Sequence, residues 1–91
     1  MAIEAVKSVR LMRGCTAYYL GGDFVTREFD VVQVDLMGMN LTAPLNSDRA
    51  IRLAHGLAKS HGADFDIEPE YEERVRNALG DLIHSHPISI R

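Results

Sequence analysis

A run of ten residues in the second half of the chain carries six carboxylates and no base. This acidic segment comprises Asp64, Asp66, Glu68, Glu70, Glu72 and Glu73. The 91-residue chain has 13 acidic and 10 Lys or Arg side chains, a formal net charge of −3, so its remainder holds 7 acids against 10 bases, or +3. Because a concentrated negative potential attracts cationic surfaces, the acidic segment predicts a binding site for a protein partner with a basic surface.

The two halves of the acidic segment have different local explanations. Glu70, Glu72 and Glu73 fall in the first turn of a predicted helix, where the helix dipole favours negative charge. Asp64 and Asp66 lie on one side of an extended stretch, with Phe65 on the other side, and no such dipole acts on them. A merely solvated charged surface remains an alternative for the whole segment, and Asp64 and Asp66 are the sharper candidates for function.

Alternating acids also suggest calcium, but the spacing is not that of an EF-hand loop. A loop beginning at Asp64 requires glycine at its sixth position and glutamate at its twelfth, and this chain has Pro69 and Val75 there. The sequence therefore predicts no calcium site of this type.

Four histidines could suggest a transition metal. His55 and His61 are six residues apart on one predicted helix, roughly 120° apart around its axis, so they cannot bind the same ion. His84 and His86 could both approach a metal, but a closed zinc site needs four ligands. We therefore expect no metal and no cofactor, with a small metal-assisted enzyme or ligand-binding domain as the alternative.

Catalytic signatures are also missing from the sequence. Cys15, the only cysteine, sits in a strand-like stretch and reads as a small buried hydrophobic residue rather than as a nucleophile. The Gly21-Gly22 pair connects two strands, whereas a phosphate-binding loop leads from a strand to a helix. The sequence therefore predicts a protein that is not an enzyme and has no catalytic residues.

Direct nucleic-acid binding is a weaker hypothesis than protein binding. Tyr18, Tyr19 and Phe24 could stack on bases, and several arginines, Arg10 and Arg27 among them, could contact phosphates. The isoelectric point of about 5.7 is nevertheless far below that of dedicated nucleic-acid-binding domains.

The first half of the chain is predicted to be β-structure. Gly21-Gly22 suits a tight reversal between strands, and a two-residue turn there places Leu11 opposite Val32. Val32, Val34 and Leu36 alternate with polar residues, whereas Phe29 and Val31 have the opposite parity, which predicts a β-bulge near Val31-Val32. A further short strand is predicted over Met37–Thr42.

The second half is predicted to be helical. Asn46-Ser47-Asp48 supplies a capping residue and an acid for the first turn of a helix over about 47–61, and Gly62 is a suitable C-cap. A second helix begins at Glu68-Pro69-Glu70 and carries an apolar stripe from Tyr71 through to Leu82 before Pro87 ends it. Ile88 and Ile90 then alternate with Ser89, which predicts a short edge strand.

These elements predict an α+β fold: an antiparallel sheet of three to five strands with two helices packed on one face, in the order β-β-β-α-(β)-α-(β). At 91 residues, the chain fits a single compact domain over 1–91. Met1–Lys7 does not resemble a signal peptide, and no uncharged stretch reaches the length of a membrane span. We therefore expect a cytoplasmic protein that is not bound to a membrane.

No motif assigns the chain to a family. By length and charge alone, it is similar to small regulators and inhibitors encoded by phages and mobile elements, including anti-CRISPR proteins. The comparison implies a non-enzymatic inhibitor that presents carboxylates to a nucleic-acid-binding partner where phosphates would lie. A self-associating structural subunit is the remaining alternative, since Ile88-Ser89-Ile90 is an apolar edge that could form a homodimer.

Overall fold

A computed structural model describes the backbone of residues 6–91 and the side chains of these residues except at 16–18. The strands are β1 (Val6–Leu20), β2 (Asp23–Leu36), β3 (Met39–Pro44), β4 (Asp64–Ile67) and β5 (Ser89–Ile90), and the helices are α1 (Asp48–His61) and α2 (Glu72–Leu79). Short 3-10 turns over Pro69–Tyr71 and Gly80–Ser85 flank α2. The prediction of an α+β fold with two helices is confirmed.

The five strands form one sheet in the order β3-β2-β1-β4-β5. β2 is antiparallel to both β1 and β3, but β4 is parallel to β1, and β5 is parallel to β4. The prediction of a purely antiparallel sheet is therefore wrong, and the sheet is mixed. The physical reason is that α1 and α2 are crossover connections, which bring the chain back to start the next strand in the same direction.

The long β1–β2 hairpin has the register expected from a turn at Gly21-Gly22. Leu11 pairs with Val32 and Arg13 with Asp30. The predicted bulge at Val31-Val32 is wrong, because the register runs unbroken there and shifts only between Val6 and Ser8. Both valines are buried, one on each face of the sheet. Val31 packs over Gly14, where an added Cβ would lie 3.1 Å from a valine methyl carbon.

Helix α1 begins and ends at the predicted caps. The Ser47 hydroxyl accepts a hydrogen bond from the Ala50 amide at 3.3 Å, and Gly62 ends the helix in the left-handed conformation at φ 61°. Helix α2 is shorter than predicted. Gly80, at φ 53°, ends it at Leu79, so Leu82 lies outside the helix and is exposed rather than part of a buried stripe.

The hydrophobic core lies between the helices and one face of the sheet. Val9, Leu11, Phe65 and Ile67 contribute from the strands, and the helical layer adds the buried side chains of Ile51, Ala54, Ala58, Tyr71, Val75 and Leu79. Fully burying a large apolar side chain contributes about 1.5–3 kcal/mol, so these contacts hold both helices on this face. The opposite face carries the polar positions of the same strands, including Arg10 and Gln33.

No helix in the described part of the chain is both long enough and apolar enough to cross a membrane. Two predictions fall on residues that are not fully described. The absence of a signal peptide concerns Met1–Lys7, of which residues 1–5 lie outside the described residues. Base stacking by Tyr18 concerns a side chain that also lies outside them.

Candidate protein-binding surface

The acidic segment begins in β4, between β1 and β5, and continues to the start of α2. Asp64 and Asp66 lie on β4, on the face away from the helices, since they pair with Ser8 and Arg10 of β1. Glu68 follows β4, Glu70 lies in the 3-10 turn, and Glu72 and Glu73 open α2. The six carboxylates therefore follow a continuous stretch of backbone but do not share one face.

Three of the six carboxylates have ion-pair partners that their spacing in the sequence did not reveal. An Asp66 oxygen lies 3.3 Å from Nε of Arg91, Glu70 lies 3.0 Å from a guanidinium nitrogen of Arg13, and Glu72 lies 3.0 Å from Nε of Arg76. The Arg76 pair spans one helical turn, whereas the other two join residues far apart in the chain. The fold therefore neutralises part of the acidic segment within the protein itself.

Arg13 connects the acidic segment to the base of the β1–β2 hairpin. Its guanidinium lies 3.4 Å from a Glu28 carboxylate oxygen as well as 3.0 Å from Glu70. Its backbone amide donates a 3.3 Å hydrogen bond to the Glu68 carboxylate. One exposed arginine thus contacts three glutamates, two of them in the acidic segment.

Three carboxylates of the acidic segment have no ion pair among the described residues, and one of them, Glu68, accepts the Arg13 amide hydrogen bond, which leaves Asp64 and Glu73. Neither side chain has an ion pair or a hydrogen bond with any other described residue. Both are exposed, so their charges are available to a partner. That the acidic segment binds a partner stays a prediction, and Asp64 and Glu73 are the carboxylates that have no partner within the described part of the chain.

Two shallow surface grooves lie on either side of Glu70 and Glu73. The first, of about 380 Å³, is lined by Asp48, Glu70, Glu73, Arg74 and Asn77. The second, of about 420 Å³, is lined by Pro69, Glu70, Glu72, Glu73, Arg76 and Asn77. Each groove is lined by three carboxylates and one guanidinium, and Arg13, which pairs with Glu70 from outside the lining, reduces the formal charge at each groove from −2 to −1. We call them the first and second acidic grooves.

The first acidic groove is held in shape by contacts between α2, α1 and the hairpin. Arg74 of α2 lies 3.6 Å from an Asp30 oxygen on β2 and 3.8 Å from an Asp48 oxygen at the start of α1. The Tyr71 hydroxyl donates a 2.6 Å hydrogen bond to the other Asp30 oxygen. Burial of the phenol, reinforced by this bond to a carboxylate, raises the pKa of Tyr71 to about 12.

His55 and His86 hold the C-terminal segment against the rest of the protein. A ring nitrogen of the buried His55 (Nε2) lies 3.0 Å from the His86 carbonyl oxygen, and Nε2 of His86 lies 2.6 Å from the Ala63 carbonyl oxygen. Because a carbonyl oxygen can only accept, each Nε2 must carry the proton. Among the described residues, no three His, Cys, Asp or Glu side chains group as a metal site requires.

Two other features differ from their sequence-based interpretation or were missed by it. Cys15 is exposed, so the prediction that it is a buried hydrophobic residue is wrong. Tyr19 and Phe24 face each other near the hairpin turn, with ring centroids 4.8 Å apart, and both are largely exposed. This part of the hairpin extends beyond the strands that pair with it, because β4 pairs only with residues 8–11 of β1 and β3 only with residues 31–36 of β2.

The chain was compared with known protein families, curated proteins and solved structures, and none of the three comparisons produced a match.

Proposed function

We propose that this protein is a non-enzymatic binding module that engages a protein partner with a basic surface through the acidic segment. The observation that carries the proposal is the pair of acidic grooves on either side of Glu70 and Glu73, each lined by three carboxylates and one guanidinium. A lysine or arginine side chain matches such a groove in both charge and shape. Because the grooves are adjacent, they suit two neighbouring cationic side chains of one partner.

The charge arrangement favours fast and selective association more than high affinity. Exposed ion pairs contribute little free energy individually, with a median of about 0–1 kcal/mol. A concentrated negative surface instead steers a basic partner during encounter and opposes acidic ones. Glu73 is the central residue in this proposal, because it lines both grooves and has no ion-pair partner among the described residues.

The partner that best fits this chemistry is itself a nucleic-acid-binding protein. Its basic groove is built for successive phosphates, and successive carboxylates present similar charge. The protein would then act as a regulator or inhibitor that occupies this groove. A phage or mobile-element inhibitor such as an anti-CRISPR protein is the specific form of this proposal, supported by length and charge alone.

Affinity capture from the native host, followed by mass spectrometry and titration of the purified partner, tests the proposal. The decisive variant combines Glu72→Gln with Glu73→Gln, and the matched control combines Asp23→Asn with Asp81→Asn. Both variants remove two negative charges from the surface, but only the first changes residues of the acidic grooves. We expect the groove variant to bind at least tenfold more weakly, or about 1.4 kcal/mol, and the control to bind normally. Equal affinity of the two variants would refute the proposal.

A further inference from the structure

The helices cover only part of the apolar face of the sheet. α1 packs on β1 and β4, whereas β3 lies at the edge of the sheet, and all six of its residues are exposed. In the register of the sheet, Leu41 pairs with Val34, which in turn pairs with the buried Val9, so Leu41 lies on the same face as the core. The apolar face of the sheet therefore continues past the helices as far as its edge.

An apolar groove of about 240 Å³ separates β3 from α1. Val32 and Ala43 form its floor, and Leu53 and Leu57 of α1 form part of its wall. Leu53 is 63% exposed and Leu41 is 48% exposed, and neither of them lines an acidic groove. A continuous apolar surface of this kind on a small soluble protein marks an interaction site.

We propose that β3 pairs with β3 of a second copy of this chain, antiparallel and about a two-fold axis normal to the sheet, which joins two five-stranded sheets into one. The outer edge of β3 has no neighbouring strand among residues 6–91, so its backbone donors and acceptors on that side are free to form such a ladder. This inference does not depend on the acidic grooves.

The side chains of β3 make it a suitable partner for itself. Met39, Leu41 and Ala43 lie on the apolar face, and Asn40 and Thr42 lie on the polar face. If the two-fold axis passes beside one residue of β3, that residue faces its own copy in the second chain. The residue one position before it then faces the second chain's residue one position after it, and the same holds further along the strand. The positions that face each other therefore always differ by an even number, so apolar side chains meet apolar ones and polar side chains meet polar ones.

The charges also favour this edge over the opposite one. Met39–Pro44 contains no charged residue, so two copies meet without like charges facing each other. At the other edge, β5 has only two residues, and Arg91 next to it pairs with Asp66. Short edges with nearby charges are protected against pairing, whereas β3 lacks both protections.

The extent of the surface suits a weak dimer. β3 spans about 20 Å at 3.4 Å per residue, and α1 spans about 21 Å at 1.5 Å per residue. A second copy that lies along β3 and α1 contacts both the edge strand and the exposed Leu53 side chain of the helix. A contact of this length and of similar width covers roughly 400 Å², about half of the roughly 800 Å² that each partner of a standard stable complex buries, so we expect a dimer whose population depends on concentration.

The first test is mass as a function of concentration, measured by sedimentation equilibrium. We expect wild-type protein to approach dimer mass, and Leu41→Lys to remain at monomer mass because two lysines would be buried near the axis. Leu82→Lys replaces a leucine of similar exposure outside the groove and should dimerise normally. Wild-type protein at monomer mass throughout, or equal dimerisation of both variants, overturns the proposal.

The second test locates the axis by disulfide trapping in a Cys15→Ser background. Residues that face each other in an antiparallel pair have Cα atoms about 4.5–5.5 Å apart, within the range that a disulfide spans. Copies of the next residue along are about 7–8 Å apart and beyond that range. Single cysteines at positions 40 to 43 should therefore trap a dimer most strongly at one position and much less at its neighbours, with none from Ile90→Cys. Uniform trapping along β3, no trapping there, or trapping only from Ile90→Cys would overturn the proposal.

Discussion

The Tyr71 hydroxyl donates a 2.6 Å hydrogen bond to the carboxylate of Asp30, which joins the segment before α2 to the base of the β1–β2 hairpin. Arg74 lies 3.6 Å from the second oxygen of the same carboxylate and also contacts Asp48. Asp30 thus has both oxygens engaged by residues of the helical layer. These contacts fix the position of α2, and with it the orientation of the acidic grooves.

Tyr71→Phe removes the donor to Asp30 and leaves the packing of the ring unchanged. A hydrogen bond to a charged group contributes roughly 1.5–3 kcal/mol to stability, so we expect a loss of this size in the free energy of unfolding at neutral pH. Urea denaturation measures it. Tyr19→Phe is the control, because Tyr19 is 72% exposed and should lose almost nothing.

The raised pKa of Tyr71 predicts that the protein loses stability at alkaline pH. The pKa of Tyr71 is raised from 10.0 in the unfolded chain to about 12 in the folded protein, so the native state holds the phenol proton more tightly. The resulting stabilisation is complete below pH 10 and is lost as the pH rises through about 12. Between these values, wild-type protein should lose more stability than Tyr71→Phe does. Parallel slopes for the two proteins would contradict this interpretation.

His55→Phe should destabilise the attachment of the C-terminal segment. Phenylalanine keeps the aromatic contact with Phe65 but cannot donate to the His86 carbonyl, which would be left without that bond. We expect a cost of about 1–3 kcal/mol and faster hydrogen exchange at the Arg91 amide, which bonds to the Ile67 carbonyl at 2.9 Å. His61→Phe, at an exposed position on the same helix, is the control and should leave exchange unchanged.

Protein purified without an affinity tag should contain no stoichiometric zinc. His86 directs its Nε2 proton to the Ala63 carbonyl, so metal binding through that nitrogen would break a 2.6 Å hydrogen bond. Elemental analysis checks this. About one zinc per chain, lost in His86→Ala and retained in His61→Ala, would contradict the prediction.

Local sequence signals predicted the elements better than their arrangement. The Ser47 and Gly62 caps and the Gly21-Gly22 turn depend on neighbouring residues, and the structure has each of them where it was expected. The direction of β4 depends on how far α1 carries the chain across the sheet, which no local pattern records. Gly80 ended α2 earlier than the apolar stripe indicated, because its backbone conformation overrode the side-chain periodicity.

The acidic segment illustrates the same limit at the level of the candidate site. Its charge was evident from the sequence, but its neutralisation by Arg13 and Arg91 requires residues that are brought together by the parallel pairing of β4. Asp66 therefore has a structural partner in Arg91, although no neighbouring residue in the sequence explains its charge. Glu73, which helix-dipole arguments alone would have explained, is free of ion pairs among the described residues and lines both grooves.

Arg13→Gln should strengthen binding of a basic partner. The arginine pairs with Glu70, which lines both acidic grooves, so its removal frees that carboxylate and changes the local charge by −1. We expect faster association and a steeper dependence on salt, because steering increases with the negative potential. Stopped-flow or surface-based kinetics with the captured partner measure both. Arg27→Gln, also exposed on the hairpin but without an ion pair among the described residues, controls for the loss of one positive charge. Equal effects of the two variants would show that net charge, and not Glu70, determines the rate.

The last prediction separates the two halves of the acidic segment. Glu72→Gln combined with Glu73→Gln removes charge from both grooves, whereas Asp64→Asn combined with Asp66→Asn removes the same charge from the polar face of β4. Both variants should fold. Asp64, Glu72 and Glu73 are exposed or half-buried, and asparagine at position 66 keeps the shape of the aspartate without its charge.

If the grooves hold the partner, the glutamate variant should lose affinity and most of its salt dependence. The aspartate variant should lose only the part of the association rate that depends on long-range steering, because exposed charges are screened beyond about 8–10 Å at physiological salt. Titrations of the captured partner at low and physiological ionic strength measure both effects. A larger loss in the aspartate variant would move the binding surface to the polar face of β4. Unchanged affinity and unchanged salt dependence in both variants would mean that the acidic segment is only a solvated surface.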